Sequence, residues 1–169
     1  MPSNSQQPTE VDLSQLLERL CASGIEFILV GGLAAVIQGS PITTMDVDIV
    51  HNRTPDNIER LVSFLENAEA MYRRPDDKVI KPVMADLSGM GHMLLTTRMG
   101  PLDVLSFIEG RKTYEELIDH TVKIPFRGYI LRVLDLTTML ELKRSTSNPK
   151  EQQRIAILEE TIRQVEKDR

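Results

Sequence analysis

The chain has 169 residues, 41% of them hydrophobic and 27% charged, with no tryptophan and one cysteine, Cys21. That length makes one domain able to bury roughly 70% of the surface its unfolded form exposes, so folding requires neither disulfide nor structural metal. A lone cysteine excludes an intrachain disulfide or a Cys-rich zinc site, and a net charge of −5 argues against bulk electrostatic binding to nucleic acid. The longest apolar run, residues 27–37, is eleven residues long, short of the about 20 that span a bilayer. Nothing near the N-terminus reads as a signal peptide, and a reducing, cytoplasmic setting is expected. Charge is unevenly spread: residues 1–72 hold ten acids and three bases, whereas residues 73–169 hold seventeen bases and fifteen acids.

Residues 1–10 are polar and aperiodic and are expected to form a flexible tail, with residues 11–169 as a single domain. Leu13, Leu16, Leu17 and Leu20 recur at helical spacing, and Gly24 supplies a stop. A short buried strand is predicted over residues 26–30, a glycine pair at Gly31-Gly32, and a short helix over residues 33–38. A second strand is expected over residues 45–50. Thr54-Pro55 reads as a hydroxyl cap with proline in the first helical turn, followed by Ile58, Leu61, Val62 and Leu65 on one face. Residues 71–90, rich in charge, proline and glycine, are expected to be irregular with one short helix. Strands follow over residues 92–97 and 102–106 about a turn at Met99-Gly100-Pro101. Thr113 with Glu116 fits a capping box, residues 122–126 and 129–133 a hairpin, and Asp135 the cap of a helix through Ser145. A last helix carries Ile155, Leu158, Ile162 and Val165 on one face. The intermixed helices and strands give an α/β or α+β class with a mixed sheet.

The chemistry concentrates in Asp46-Val47-Asp48-Ile49-Val50. In a strand, both acids project from one face, roughly 6.5–7 Å apart. Two such carboxylates repel unless they are solvated or share a cation, so the pair reads either as an exposed acidic face or as a metal site. Gly31-Gly32, about 15 residues earlier, allows backbone N–H groups to approach an anion at a helix start, or simply supplies a tight strand-to-helix turn. Asp103, alone in an apolar strand, would complete a three-carboxylate cage if that strand lies beside the first pair, and could take a proton from an attacking hydroxyl. His51, His92 and His120 lack ligand spacing, Ser106 and Cys21 lack a base, and Arg73, Arg74, Lys78 and Lys81 form either a solvated loop or an acceptor groove.

Taken together, Val30-Gly31-Gly32-Leu33-Ala34-Ala35, Gly39-Ser40, Thr44-Met45-Asp46-Val47-Asp48, Thr54-Pro55-Asp56-Asn57, Gly100-Pro101-Leu102-Asp103 and residues 140–151 resemble the polymerase-β-type nucleotidyltransferases. The match is nearest to their minimal bacterial branch, which includes AbiEii-like toxin-type proteins. The resemblance implies a nucleotidyltransferase fold: a central mixed β-sheet flanked by helices, with a C-terminal helical segment. It implies metal ligation and catalysis by Asp46, Asp48 and Asp103, and phosphate contacts from Gly31 and Gly32. Thr44 is retained from the motif, and Lys143 is a candidate nucleotide contact or a lysine favourable to the helix dipole. Where many relatives carry a histidine and an arginine, this chain has Gln38 and Ile42, and its Asn148-Pro149-Lys150-Glu151 matches the later basic motif only in part.

The expected activity is Mg²⁺- or Mn²⁺-dependent transfer of a nucleoside monophosphate from an NTP to an acceptor hydroxyl on a small molecule, a tRNA end or a protein. A rival expectation is a catalytically inactive nucleotide-binding or interaction protein of the same fold, with a cognate protein partner in a toxin–antitoxin pair. A third is that the three acids hold a structural cation.

Overall fold

The computed structural model describes residues 11–146 and 149–168; the expected tail over residues 1–10 lies outside them, as does Asn148. Helix α1 (Leu13–Ala22) packs Leu16, Leu17 and Leu20 into the core. Strand β1 (Phe27–Val30) is buried throughout and passes directly into α2 (Gly31–Ile37). The glycine pair is thus the first turn of the helix, not a break ahead of it: Gly31 adopts φ +71°, which lets the chain pivot from strand to helix within one residue. Strand β2 spans Val47–His51, so Asp46 falls in the bend just before the strand.

Helix α3 (Pro55–Asn67) turns Ile58, Leu61, Phe64 and Leu65 inward. Its proline start is as expected, but the Thr54 hydroxyl makes no capping bond. Within residues 71–90 a two-residue strand, β3 (Met71–Tyr72), precedes the short helix α4 (Met84–Ser88). Strands β4 (Met93–Thr97) and β5 (Gly100–Leu105) form a hairpin that turns at Arg98-Met99. Helix α5 (Tyr114–Leu117) forms, although Thr113 gives no cap to its backbone; the Thr113 hydroxyl donates instead to Glu116 Oε1 at 3.5 Å. Strands β6 (Thr121–Phe126) and β7 (Tyr129–Leu134) make the expected hairpin about Arg127-Gly128, both with positive φ, as a two-residue turn of this hand requires. Asp135 caps α6 (Leu136–Ser145), accepting from the Thr138 N–H at 2.7 Å. Helix α7 (Gln152–Lys167) closes the described chain.

Among the described residues, seven strands form one sheet in the order β3-β4-β5-β2-β1-β7-β6. The sheet is mixed: β2 runs parallel to β5, and β1 to β7, while the other pairs are antiparallel. Val47, Ile49, Leu102 and Val104 are fully buried on one face, and their alternate neighbours Asp48 and Asp103 emerge on the other, as strand periodicity demands. No helix among the described residues is long and apolar enough to cross a membrane.

Candidate active site

The parallel pairing of β2 with β5 sets Asp48 and Asp103 directly opposite each other, and the bend before β2 brings in Asp46. One carboxylate oxygen from each of the three lies within 4.8 Å of the others. Because the backing face is apolar core, the acids are half-buried. Removal from water raises the Asp48 carboxyl to about 8, reinforced by the Asp46 and Asp103 carboxylates and opposed by Arg73. Burial, then the charge of Asp103, also raises Asp46, again with Arg73 opposing. Asp48 Oδ1 is buried without a hydrogen-bond donor. A buried carboxylate oxygen left unpaired beside two more acids is an unfavourable arrangement that a cation would relieve. Three oxygen donors of this kind fit a hard divalent ion.

Across β1, Val30 pairs with Asp48, which places Gly31 against the carboxylate. A Cβ at Gly31 would meet Asp48 Cγ at 3.0 Å. Glycine is therefore needed here for close approach as well as for its backbone angle. Gly32 stands similarly against Thr44, where a Cβ would lie 3.0 Å from Oγ1. The Thr44 hydroxyl donates to the Asp46 carbonyl at 3.3 Å, bracing the bend that carries Asp46.

A cavity of about 190 Å³ opens beside these residues, lined by Gly31, Gly32, Ser40, Asp48, Lys143 and Arg154 among polar and small groups, with Ile42, Leu105, Ile108, Leu134 and Leu158 as apolar wall. Lys143 sits in this wall, and its ammonium is held by Glu109 at 3.1 Å and Glu151 at 3.3 Å. Ile42 brings no charge to the cavity. Gln38 turns away to donate to the Ala34 and Leu134 carbonyls at 3.0 and 2.8 Å, a helix-end tie. A larger groove of about 530 Å³, lined by Arg19, Arg60 and Arg98 between α1 and α3, contains none of the three carboxylates.

The sequence reading missed Arg73 as a partner of the acids. Its guanidinium donates to Asp103 Oδ1, whereas the adjacent Arg74 pairs with Asp76 at 2.8 Å in solvent. Glu109 and Arg154 were missed as well, and neither stands in a pattern that would mark it. The remaining candidates are structural. His51 is buried and shares a hydrogen bond with the Leu87 carbonyl at 3.0 Å, burial pushing its pKa down. His92 packs against Phe107 in a tilted arrangement, ring centroids 4.7 Å apart. The Ser106 hydroxyl lies 3.0 Å from the Gly89 and Gly91 carbonyls. Burial, then Glu18, raises the Cys21 thiol, the opposite of an activated nucleophile.

No family model and no curated protein matches the sequence. Solved structures with a similar fold include the following two. One is an antigenic nucleotidyltransferase-like protein from Paracoccidioides brasiliensis, 17% identical with a TM-score of 0.56, over 89% of this chain and 73% of that one. The other is the antibiotic-resistance factor ANT(2'')-Ia, solved in solution, 11% identical with a TM-score of 0.50, over 90% of this chain and 88% of that one. At such identities the likeness is one of fold alone: this chain has a nucleotidyltransferase-like fold, with three aspartates clustered on β5, on β2 and in the bend just before β2.

Proposed function

We propose that the protein is a metal-dependent nucleotidyltransferase that moves a nucleoside monophosphate from an NTP to an acceptor hydroxyl. The observation that carries this reading is the convergence of Asp46, Asp48 and Asp103, with Asp48 Oδ1 buried without a protein donor and Gly31 directly against the Asp48 carboxylate. The three aspartates would hold Mg²⁺ or Mn²⁺. Bound there, the metal would neutralise charge on the reacting phosphates. Gly31 and Gly32 present a side-chain-free surface beside the carboxylates, where a triphosphate can approach backbone N–H groups. Asp103 accepts the proton of the acceptor hydroxyl as its oxygen bonds to the α-phosphorus, and the bond from that phosphorus to pyrophosphate breaks. Thr44 keeps Asp46 in place by bracing the Asp46 carbonyl. The apolar wall of the neighbouring cavity suits a nucleoside.

A second reading draws on Lys143 and Ile42. With Lys143 held by two glutamates and an uncharged side chain at position 42, a triphosphate would meet less positive charge than transfer favours. That supports a nucleotide-binding or interaction protein without turnover, including a toxin–antitoxin component of the AbiEii-like branch.

Thermal-shift and calorimetric titrations with each of the four triphosphates, with and without Mg²⁺ or Mn²⁺, separate the two. A ligand at 100 times its dissociation constant stabilises a fold by about 2.7 kcal/mol. Metal-dependent stabilisation is expected in the wild type and is lost in the Asp46→Asn/Asp48→Asn double variant, with pyrophosphate released once an acceptor is supplied. Stabilisation with no pyrophosphate across small-molecule, tRNA and protein acceptors favours the second reading. No response to any triphosphate sinks the transferase reading and leaves of the second only an interaction protein, to be tested by a stable complex with a protein partner.

A further inference from the structure

On leaving β3, Arg73 is fixed at the sheet edge by a hydrogen bond from its backbone N–H to the Leu94 carbonyl, 2.9 Å long. Leu94 is the register partner of Asp103, and Asp103 that of Asp48. The four residues form one row across the sheet, and side chains in a row share a face. Two strand spacings of about 4.8 Å separate Arg73 from Asp103, a gap that an extended arginine closes by reaching over Leu94. Its guanidinium lands on Asp103, the two side chains being 33% and 16% exposed. Arg74, one residue on, points elsewhere, so this contact is set by the register and not by general attraction of a basic loop to an acidic patch.

We propose that Arg73 is the resident counter-ion of the carboxylate site: it occupies Asp103 when no divalent ion is bound and withdraws to admit one. The inference rests on the metal-binding reading above. A carboxylate oxygen engaged by a guanidinium is not available as a full ligand, and two cations a few ångströms apart repel. One of them must leave. The arginine is built to do so, because it follows a strand only two residues long and opens a segment, residues 73–81, that is exposed at every position. Few buried contacts hold such a segment, so its motion disturbs little else. Arg73 thus holds the three acids together without metal and lowers the affinity of the site for metal.

The test is direct titration of the full chain with Mn²⁺, followed by electron paramagnetic resonance or calorimetry, for the wild type, Arg73→Gln and Arg73→Lys, with circular dichroism melting to check each fold. An opposite charge within about 4–6 Å shifts proton binding to a carboxylate by 1–3 logarithmic units, and a metal ion meets the same competing charge. Arg73→Gln is therefore expected to bind Mn²⁺ at least about tenfold more tightly than the wild type. In the wild type, saturating Mg²⁺ should shift the Arg73 Nε–Hε resonance and leave that of Arg74 in place. Unchanged or weaker Mn²⁺ binding by Arg73→Gln overturns the proposal while leaving the metal site standing. So does an Arg73 resonance that ignores Mg²⁺, a readout that holds even if the variants fail to fold. If neither wild type nor variants bind Mn²⁺, the metal reading itself falls and this inference falls with it.

Discussion

At Asp48, burial and two neighbouring carboxylates act in the same direction, lifting its carboxyl from an ordinary 3.8 to about 8. A pKa raised on folding means that the native state keeps a proton which the unfolded chain has already lost. Stability from this group is therefore complete below about 4, falls as pH rises, and levels off above about 8. An asparagine side chain at this position would not titrate and would have no charge to desolvate. In metal-free, chelator-containing buffer, Asp48→Asn should melt higher than the wild type, by a margin that widens between pH 4 and pH 8 and is then constant. A margin independent of pH would mean that the carboxylate is not held protonated by its surroundings. If the carboxylates hold a metal as proposed above, the same substitution should also abolish the metal response. The sequence made the spacing of Asp46 and Asp48 plain. It could not reveal the backbone of Gly31 standing against Asp48, because that contact depends on the register of β1 with β2.

The elements that carry the site were legible wherever they were long enough to show a period. The buried stripes of α1 and α3, the β6–β7 hairpin and the Asp135 cap all follow from local residue patterns. Two kinds of feature were not legible. Strand β3 is two residues long, too short for any periodicity, and missing it concealed where Arg73 would point. Caps at Thr54 and Thr113 have the right residue types, but their hydroxyls are not used by the helix backbone. The start of α3 is fixed instead from within the helix. Fully buried Asn57 accepts from the Glu26 N–H at 2.7 Å and donates to the Glu26 and Asn52 carbonyls at 2.9 and 2.6 Å. It thereby ties α3 to the beginning of β1 and the end of β2. Asn57→Ala strands the Glu26 N–H and the Asn52 carbonyl, each worth about 1–3 kcal/mol when buried, so urea denaturation should record a loss of about 3 kcal/mol. Asn57→Asp should not rescue it, since a carboxylate has no N–H to donate.

For the molecule as a whole, the mixture of helices and strands gave the class, but strand order had to come from the structure. The order places β2 beside β5 although Asp48 and Asp103 stand 55 positions apart in the chain. That adjacency has a kinetic meaning. Pairings between distant segments are slow to form because loop closure must precede them, so the row from Val30 through Asp48 to Asp103 belongs to the late events of folding. An ion that needs all three acids meets no binding site in the unfolded chain and little of one at the barrier. It can then act almost entirely on the return path. With saturating Mn²⁺, the unfolding limb of a denaturant chevron should drop while the refolding limb stays where it was. The cation would thus be a latch on the finished protein and no guide to its assembly.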